Sequence, residues 1–472
     1  MSATTPDAFD RLSEKIADTV NPIVVKEVRQ GLRTRVFWLF FSLMLVVNLF
    51  ISLVCFATAE ESANVGKGAF IAFFVVLRFV QFFIIPYTAY RPMAREAEQE
   101  TWVLLTLTGI GPRRILGGKI SSSVMQGSLY ASAAAPFLLF SYFLNGIDLP
   151  TIIIAAFASI AYQVFLVAAC VSTATLAESR LVRGLLHFVL LGGLFWCLGW
   201  GIAGGVATSE LVLKFSGSEW LVLVMPIFYF VTTGLLLFEA AAARLSLPTE
   251  DYARNPRIIY LVQFTGMGML SLVLAKSGGS DATQTVSILL SVYAALVGLF
   301  VVSDRDGMAK SHWVKGGRFS LLKPGAFRGF LFVMVSLAVA CALLVALGFE
   351  SASQSDMNVM LGAPGYTVFL LSASILLARR LSVMPHQMPA VTRVVFLVLL
   401  VVLTAIPPLV GEIVSDADDV FLNALNPTLG LINLEKESHD GVALLAFLWS
   451  VAGLCGIGAL VSLRKRDVEW NA

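Results

Sequence analysis

In this chain of 472 residues 57% are hydrophobic and only 14% are charged, whereas soluble domains carry roughly 25% charged residues. The composition therefore excludes a water-soluble protein and predicts an all-α integral membrane protein, a polytopic helical bundle. The formal net charge of +2 is informative only through its distribution, and basic loops in such a chain point to anionic lipid rather than to nucleic acid.

Residues 1–35 are polar and charged and lack the short apolar core of a cleaved signal peptide. They read as a cytoplasmic N-terminus that ends in an interfacial helix. Asn21 suits a helix cap and Pro22 its first turn. At helical spacing Lys26, Arg29 and Arg33 share one face, with Glu27 beside Lys26, while Val25, Val28, Leu32 and Val36 share another. A basic amphipathic helix of this kind lies along the inner membrane surface.

Crossing the hydrocarbon core takes about 20 apolar residues. That rule predicts about twelve spans, near 36–57, 69–90, 121–145, 150–177, 184–206, 219–243, 257–275, 284–303, 326–349, 362–382, 391–411 and 441–463. With the N-terminus in the cytoplasm, the inner segments carry 28 of the 33 Lys and Arg residues. The outer ones hold Lys67, Lys214, Lys276 and Lys436, and Arg78 lies within the second span. Positive charge thus falls inside at every loop, and Arg464, Lys465 and Arg466 place the C-terminus in the cytoplasm too. The expected organisation is a six-span unit at 36–245 and a second one at 246–472.

Arg78 and Gln81 lie one turn apart within span two and are candidate pathway residues, because an intramembrane charge is a functional hypothesis by default. Gln126, Gln163, His187 and Gln263 read as interhelix hydrogen-bonding groups. Glu239 and Arg244, near the inner end of span six, read as interfacial.

Two inner loops are long, 91–120 and 304–325, and each has five basic residues. The stretch GIGPRRILGGKIS (109–121) imitates a phosphate-binding loop but fails its spacing. Arg113 stands where the first glycine belongs, and Ile120 stands where Ser or Thr is required. The preceding REAEQETWVLLTLTG (95–109) predicts a short helix that begins in an acidic turn. Pro112 then opens the helix of span three.

Residues 91–120 resemble the membrane subunits of ABC exporters of the second type. That family shows a Glu-rich turn, Gly-Thr, a Leu-rich run, Thr-Pro and an Ile-x-x-Gly-Lys ending. Glu96, Glu98, Thr101, Leu104, Leu105, Thr108, Ile115, Gly118 and Lys119 fall in this register without a gap. Two positions depart, with Glu100 for the usual Gly and Gly109 for the usual Pro. Asn21, Pro22, Lys26, Glu27 and Arg29 also resemble the family's start, so the detailed match covers roughly residues 20–145.

The resemblance implies a permease in the plasma (inner) membrane of a bacterium. It makes 94–108, with Glu96, Glu98, Glu100, Thr101, Leu104, Leu105 and Thr108, a coupling helix for a separate ABC-type ATPase. Arg113, Arg114 and Lys119 belong to the hinge behind it. ATP and magnesium are then expected on that partner, with no cofactor, metal or catalytic residue on this chain. A second permease chain or a homodimer is a further partner it implies.

The second half lacks the motif between spans eight and nine. Asn255-Pro256 faintly repeats Asn21-Pro22, and Asn426-Pro427 resembles the segment before the family's last span, so a diverged repeat and an added membrane domain both stay open. The outer loop 412–440 is acidic, and its apolar middle, VFLNALNPTLGLINL, is expected to touch or dip into the membrane. Asp416, Asp418 and Asp419 offer only weak calcium spacing. An ion-coupled secondary transporter and a membrane-embedded enzyme acting on a lipid-linked substrate are the competing functions. The five cysteines, Cys55, Cys170, Cys197, Cys341 and Cys455, read as apolar fillers, and the four histidines lie in separate segments.

Overall fold

The computed structural model describes residues 22–58, 65–98, 111–144, 147–176, 180–211, 219–246, 252–278, 280–303, 321–348, 353–382, 388–414, 423–435 and 440–469. All regular secondary structure in them is helical. Helix α1 (Pro22–Leu32) precedes α2 (Arg35–Thr58). Helix α3 (Val65–Phe79) passes through a π turn at Val80–Ile84 into α4 (Ile85–Glu98), forming one long element. Then come α5 (Pro112–Phe143), α6 (Leu149–Leu176), α7 (Arg180–Leu211) and α8 (Glu219–Leu245). The rest comprises α9 (Arg254–Gly278), α10 (Ser280–Val302), α11 (Ala326–Gly348), α12 (Gln354–Leu381), α13 (Met388–Val414), the short α14 (Leu429–Glu435) and α15 (Asp440–Glu469).

Among the described residues ten helices are long and apolar enough to cross a membrane, so the chain is a multi-pass helical membrane protein. The long helices α5 and α9 fall at the other two predicted spans. At 1.5 Å per residue, the 32 residues of α5 extend about 48 Å, beyond a hydrocarbon core of about 30 Å. A helix of this length is long enough to cross that core with its first turns, which hold Arg113, Arg114 and Lys119, outside it.

The chain divides into two compact units, Met1–Ser246 and Leu247–Ala472. In the first, α6 packs on α4, α5, α7 and α8 around a core that includes Phe73, Leu77, Leu116, Tyr130 and Val167. In the second, α12 packs on α10, α11, α13 and α15 around Tyr260, Phe330, Val333 and Leu371. The apolar stretch of α12 is 83% buried, against 11% for α2. Peripheral α2 instead turns Trp38, Leu39, Leu43, Val46, Phe50 and Leu53 outward, a continuous apolar face that only lipid or a partner would solvate.

One local expectation changes. Arg95 and Glu96 do not open a new helix; they lie in the last turns of α4, which runs unbroken to Glu98. Pro92 sits inside α4 without ending it, since a proline removes only one ladder hydrogen bond and bends a helix more readily than it stops one. Residues 99–110 lie outside the described residues. In the second unit the apolar segment 423–435 docks on protein, with Leu434 fully buried against α12 and α15. Asn426 organises it by accepting from the N–H groups of Thr428 (3.0 Å) and Leu429 (3.2 Å), and its Nδ2 donates to Thr404 O (3.2 Å).

Candidate functional site

Lys119 is the centre of the site. It lies on the face of α5 that also buries Ile115, Leu116, Ser122 and Ser123, the spacing of one helix face. Its Nζ donates to Glu96 Oε1 of α4 at 2.8 Å and to Glu27 Oε1 of α1 at 3.3 Å. The Lys119 side chain is only 6% exposed, and the carboxylates are 19% and 27% exposed. One cation thus ties three elements together, and in a partly dehydrated setting it is held by opposite charge as well as by hydrogen bonds.

The sequence explains how α1 delivers Glu27. Pro22 begins α1, and the helix lies against α5. Lys26 and Arg29 are exposed, while Glu27 turns inward. Arg33 is exposed in the turn that follows. Arg114 is exposed at the start of α5.

Arg113 leaves α5 on a different face. Its Nε lies 3.0 Å and 3.2 Å from the two carboxylate oxygens of Glu239, and its Nη2 lies 2.9 Å from Oε2. This fork ties α5 to the end of α8. Since the Arg113 side chain is 52% exposed, water screens the pair. Glu239→Gln is expected to cost less than about 1 kcal/mol. Thermal melting in detergent checks this: a loss as large as that of Lys119→Met would mean that the fork is a main fastening.

Arg78 and Gln81 form a second polar group, deeper in the same unit. Arg78 is 2% exposed. Its Nη1 donates to Gln81 Oε1, its Nη2 lies 3.4 Å from Ala155 O on α6, and the guanidinium stacks 4.0 Å over the ring of Phe74. Gln81, in the π turn, reaches Gly127 O on α5 at 3.4 Å. These contacts are all neutral, so the charge is spread over amide, carbonyl and π density. Gly127 leaves room for Gln163 where α5 and α6 meet: a Cβ there would fall 2.1 Å from Gln163 Nε2, and that amide, which donates to Ser123 O at 3.2 Å, would have to swing aside.

The pair allows an ordering test. Arg78→Met leaves Gln81 Oε1 buried without its donor, a penalty of about 1–3 kcal/mol. Arg78→Met/Gln81→Met removes the whole pair, and replacing both partners with apolar groups is close to neutral. The double variant is expected to melt above the single one. The reverse order would show that water, rather than Arg78, can satisfy that oxygen.

The structure therefore brings together Glu27, Glu96 and Lys119, and separately Arg78 with Gln81. It joins Arg113 to Glu239, a residue whose role as its partner was not visible in the sequence. The backbone of Glu98 is described but its side chain is not, and Glu100, Thr101, Leu104, Leu105 and Thr108 lie outside the described residues, as do Asp416, Asp418 and Asp419. Among the expected interhelix groups, Gln163 bonds across helices, Gln263 accepts from Tyr293 Oη at 2.5 Å, and His187 lies between the rings of Tyr87 and Tyr90. Gln126 instead bonds within its own helix, to Ser122. Among the described residues no cluster of His, Cys, Asp and Glu could hold a metal ion.

Compared with family models, curated proteins and solved structures, the chain finds no match.

Proposed function

We propose that this chain is the membrane-spanning permease of an ATP-driven exporter of the second ABC type, with ATP and magnesium bound on a separate ATPase. The observation that supports this is the Lys119 bridge. Glu27, Glu96 and Lys119 each belong to a stretch that carries the family resemblance, and these residues, far apart in sequence, meet at one ion-paired junction.

The junction suits mechanical coupling. Residues 99–110, which hold most of the expected coupling helix 94–108, connect α4 to α5. A partner that pulls this segment acts on both helices at once. Lys119 fastens those helices to each other and to the interfacial helix α1, so a displacement is passed on as a tilt of stiff rods rather than absorbed at the loop. The other half of the reading is topological: all twelve long helices cross the plasma membrane, with both chain ends and loop 91–120 in the cytoplasm, as the basic residues require. The neutral surroundings of Arg78 disfavour an ion-coupled carrier, which needs paired ionisable groups near the midplane.

The test is co-purification. A tagged chain in mild detergent is expected to bring down a P-loop ATPase identified by mass spectrometry. The variant Leu104→Asp/Leu105→Asp/Arg113→Glu/Arg114→Glu should fold, yet lose it. If no such ATPase is recovered in several detergents, the proposal fails.

A further inference from the structure

The two compact units share one packing scheme. Number the long helices of each unit from one to six, taking α3 and α4 together as the second. The first unit is then α2, α3–α4, α5, α6, α7 and α8; the second is α9, α10, α11, α12, α13 and α15. In both, the fourth helix packs on the second, third, fifth and sixth. In both, the second also packs on the first, third and fifth, and the third also packs on the first and sixth. None of the remaining pairs makes a substantial contact in either unit among the described residues. In both units the broadest interface joins the fourth helix to the sixth, and the next joins it to the second. Six helices can pack pairwise in many ways, and agreement in every substantial pair is what a shared ancestor of the two halves would leave.

A second correspondence lies at the entry to the third helix. In the first unit Glu27, from the segment before the first helix, binds Lys119 near the start of the third. In the second unit Arg257, in the first turns of the first helix, binds the chain entering the third. Its Nη1 donates to Leu321 O at 2.6 Å and to Lys323 O, and its Nη2 donates to Gly325 O at 3.3 Å. Arg257 is 1% exposed. Both units thus clasp the neighbourhood of the first helix's start to that of the third helix's start, though at different residues, and each clasp follows an Asn-Pro pair, Asn21-Pro22 and Asn255-Pro256. The chemistry has diverged. Lys119 is the eighth residue of its helix, and the eighth residue of α11 is the fully buried Val333.

We propose that Leu247–Ala472 is a diverged second copy of Met1–Ser246, and that one copy of this chain supplies both six-helix halves of the permease. This rests on the permease reading for its partner: the complex then holds one copy of this chain and two ATPase subunits, with the basic inner loops 91–120 and 304–325 occupying equivalent places between second and third helices. A second permease chain is not needed.

Chain counting tests this. The full-length chain carries one fluorophore at its C-terminus, is reconstituted with the co-purified ATPase in nanodiscs, and is followed by single-molecule photobleaching and native mass spectrometry. One bleaching step, with a mass for one chain and two ATPase subunits, is the expected result. Two steps per particle would overturn the proposal while leaving the permease reading intact. One step per particle with no ATPase in any preparation would refute the permease reading and leave the duplicated chain standing.

Discussion

Replacing Lys119 with methionine is expected to loosen the first unit by about 2–3 kcal/mol, somewhat below the about 3–5 kcal/mol that breaking a fully buried ion pair costs, because the carboxylates are partly exposed. Methionine keeps the length and apolar stem of lysine but not the charge. The substitution takes away the cation that Glu27 and Glu96 share at 3.3 Å and 2.8 Å, and both carboxylates stay in a half-dry junction. The cost then comes from uncompensated charge more than from lost attraction. It follows that Lys119→Met/Glu27→Gln/Glu96→Gln should regain most of the stability, because neutral amides no longer need the cation. Thermal melting in detergent reads both variants. If Lys119→Met melts with the wild type, the bridge is not a fastening. If the triple variant melts no higher than the single, the loss comes from packing instead. Under the proposed permease function, ATP hydrolysis by the partner should fail to be stimulated in the triple variant even where melting recovers, since no ion pair then locks α1 to α4 and α5.

Gly329→Ala is expected to be the most damaging single methyl in the second unit, costing about 3 kcal/mol, the upper range for overpacking. An added Cβ would lie 2.2 Å from the carbonyl oxygen of Val301 on α10 and 3.2 Å from Arg257 Nη2. A side chain in the way can rotate, but a helical carbonyl cannot leave without moving its helix. The methyl therefore has to force α11 off α10, at the place where the Arg257 clasp also closes. Small residues commonly permit such close approach in membrane helices. Gly453→Ala is the control, because a Cβ there meets nothing within 4 Å; added helix propensity should make it neutral or slightly stabilising. Gly325→Ala should fall between. It too has open space, but its φ of +124° suits glycine, and strain there is worth about 1–2 kcal/mol. If Gly329→Ala is as stable as Gly453→Ala, α10 and α11 do not meet this closely.

The ease of reading differs from residue to residue for physical reasons. α1 was legible because a helical repeat of Lys26, Arg29 and valines is a local pattern, and so was its proline start. The span positions were legible because hydrocarbon solvation acts on each stretch of about 20 residues separately. The continuation of α4 through Glu98 was not, since an acidic turn favours a helix start but does not interrupt a helix already running. Glu239 reads as interfacial because a carboxylate near a span end fits that place as well as it fits an ion pair.

By itself, then, the sequence determined that this is a helical membrane protein, where its apolar stretches lie, and that the glycine-rich segment at 109–121 lacks the spacing of a phosphate-binding loop. Each of these depends on neighbours in the chain: hydropathy over one span, charge at its ends, the spacing of one loop. Only the tertiary structure decided which charges meet. Glu27 and Lys119 are 92 positions apart, Arg113 and Glu239 are 126 apart, and Arg78 reaches a carbonyl 77 positions away. Any of several lysines satisfies a carboxylate equally well on paper. Helix packing, set in part by where a small residue such as Gly329 allows backbones to approach, selects the one that does. The likeness of the two halves was hidden for the same reason: it lies in which helices touch, and residues as different as Lys119 and Val333 can occupy the same place in that scheme.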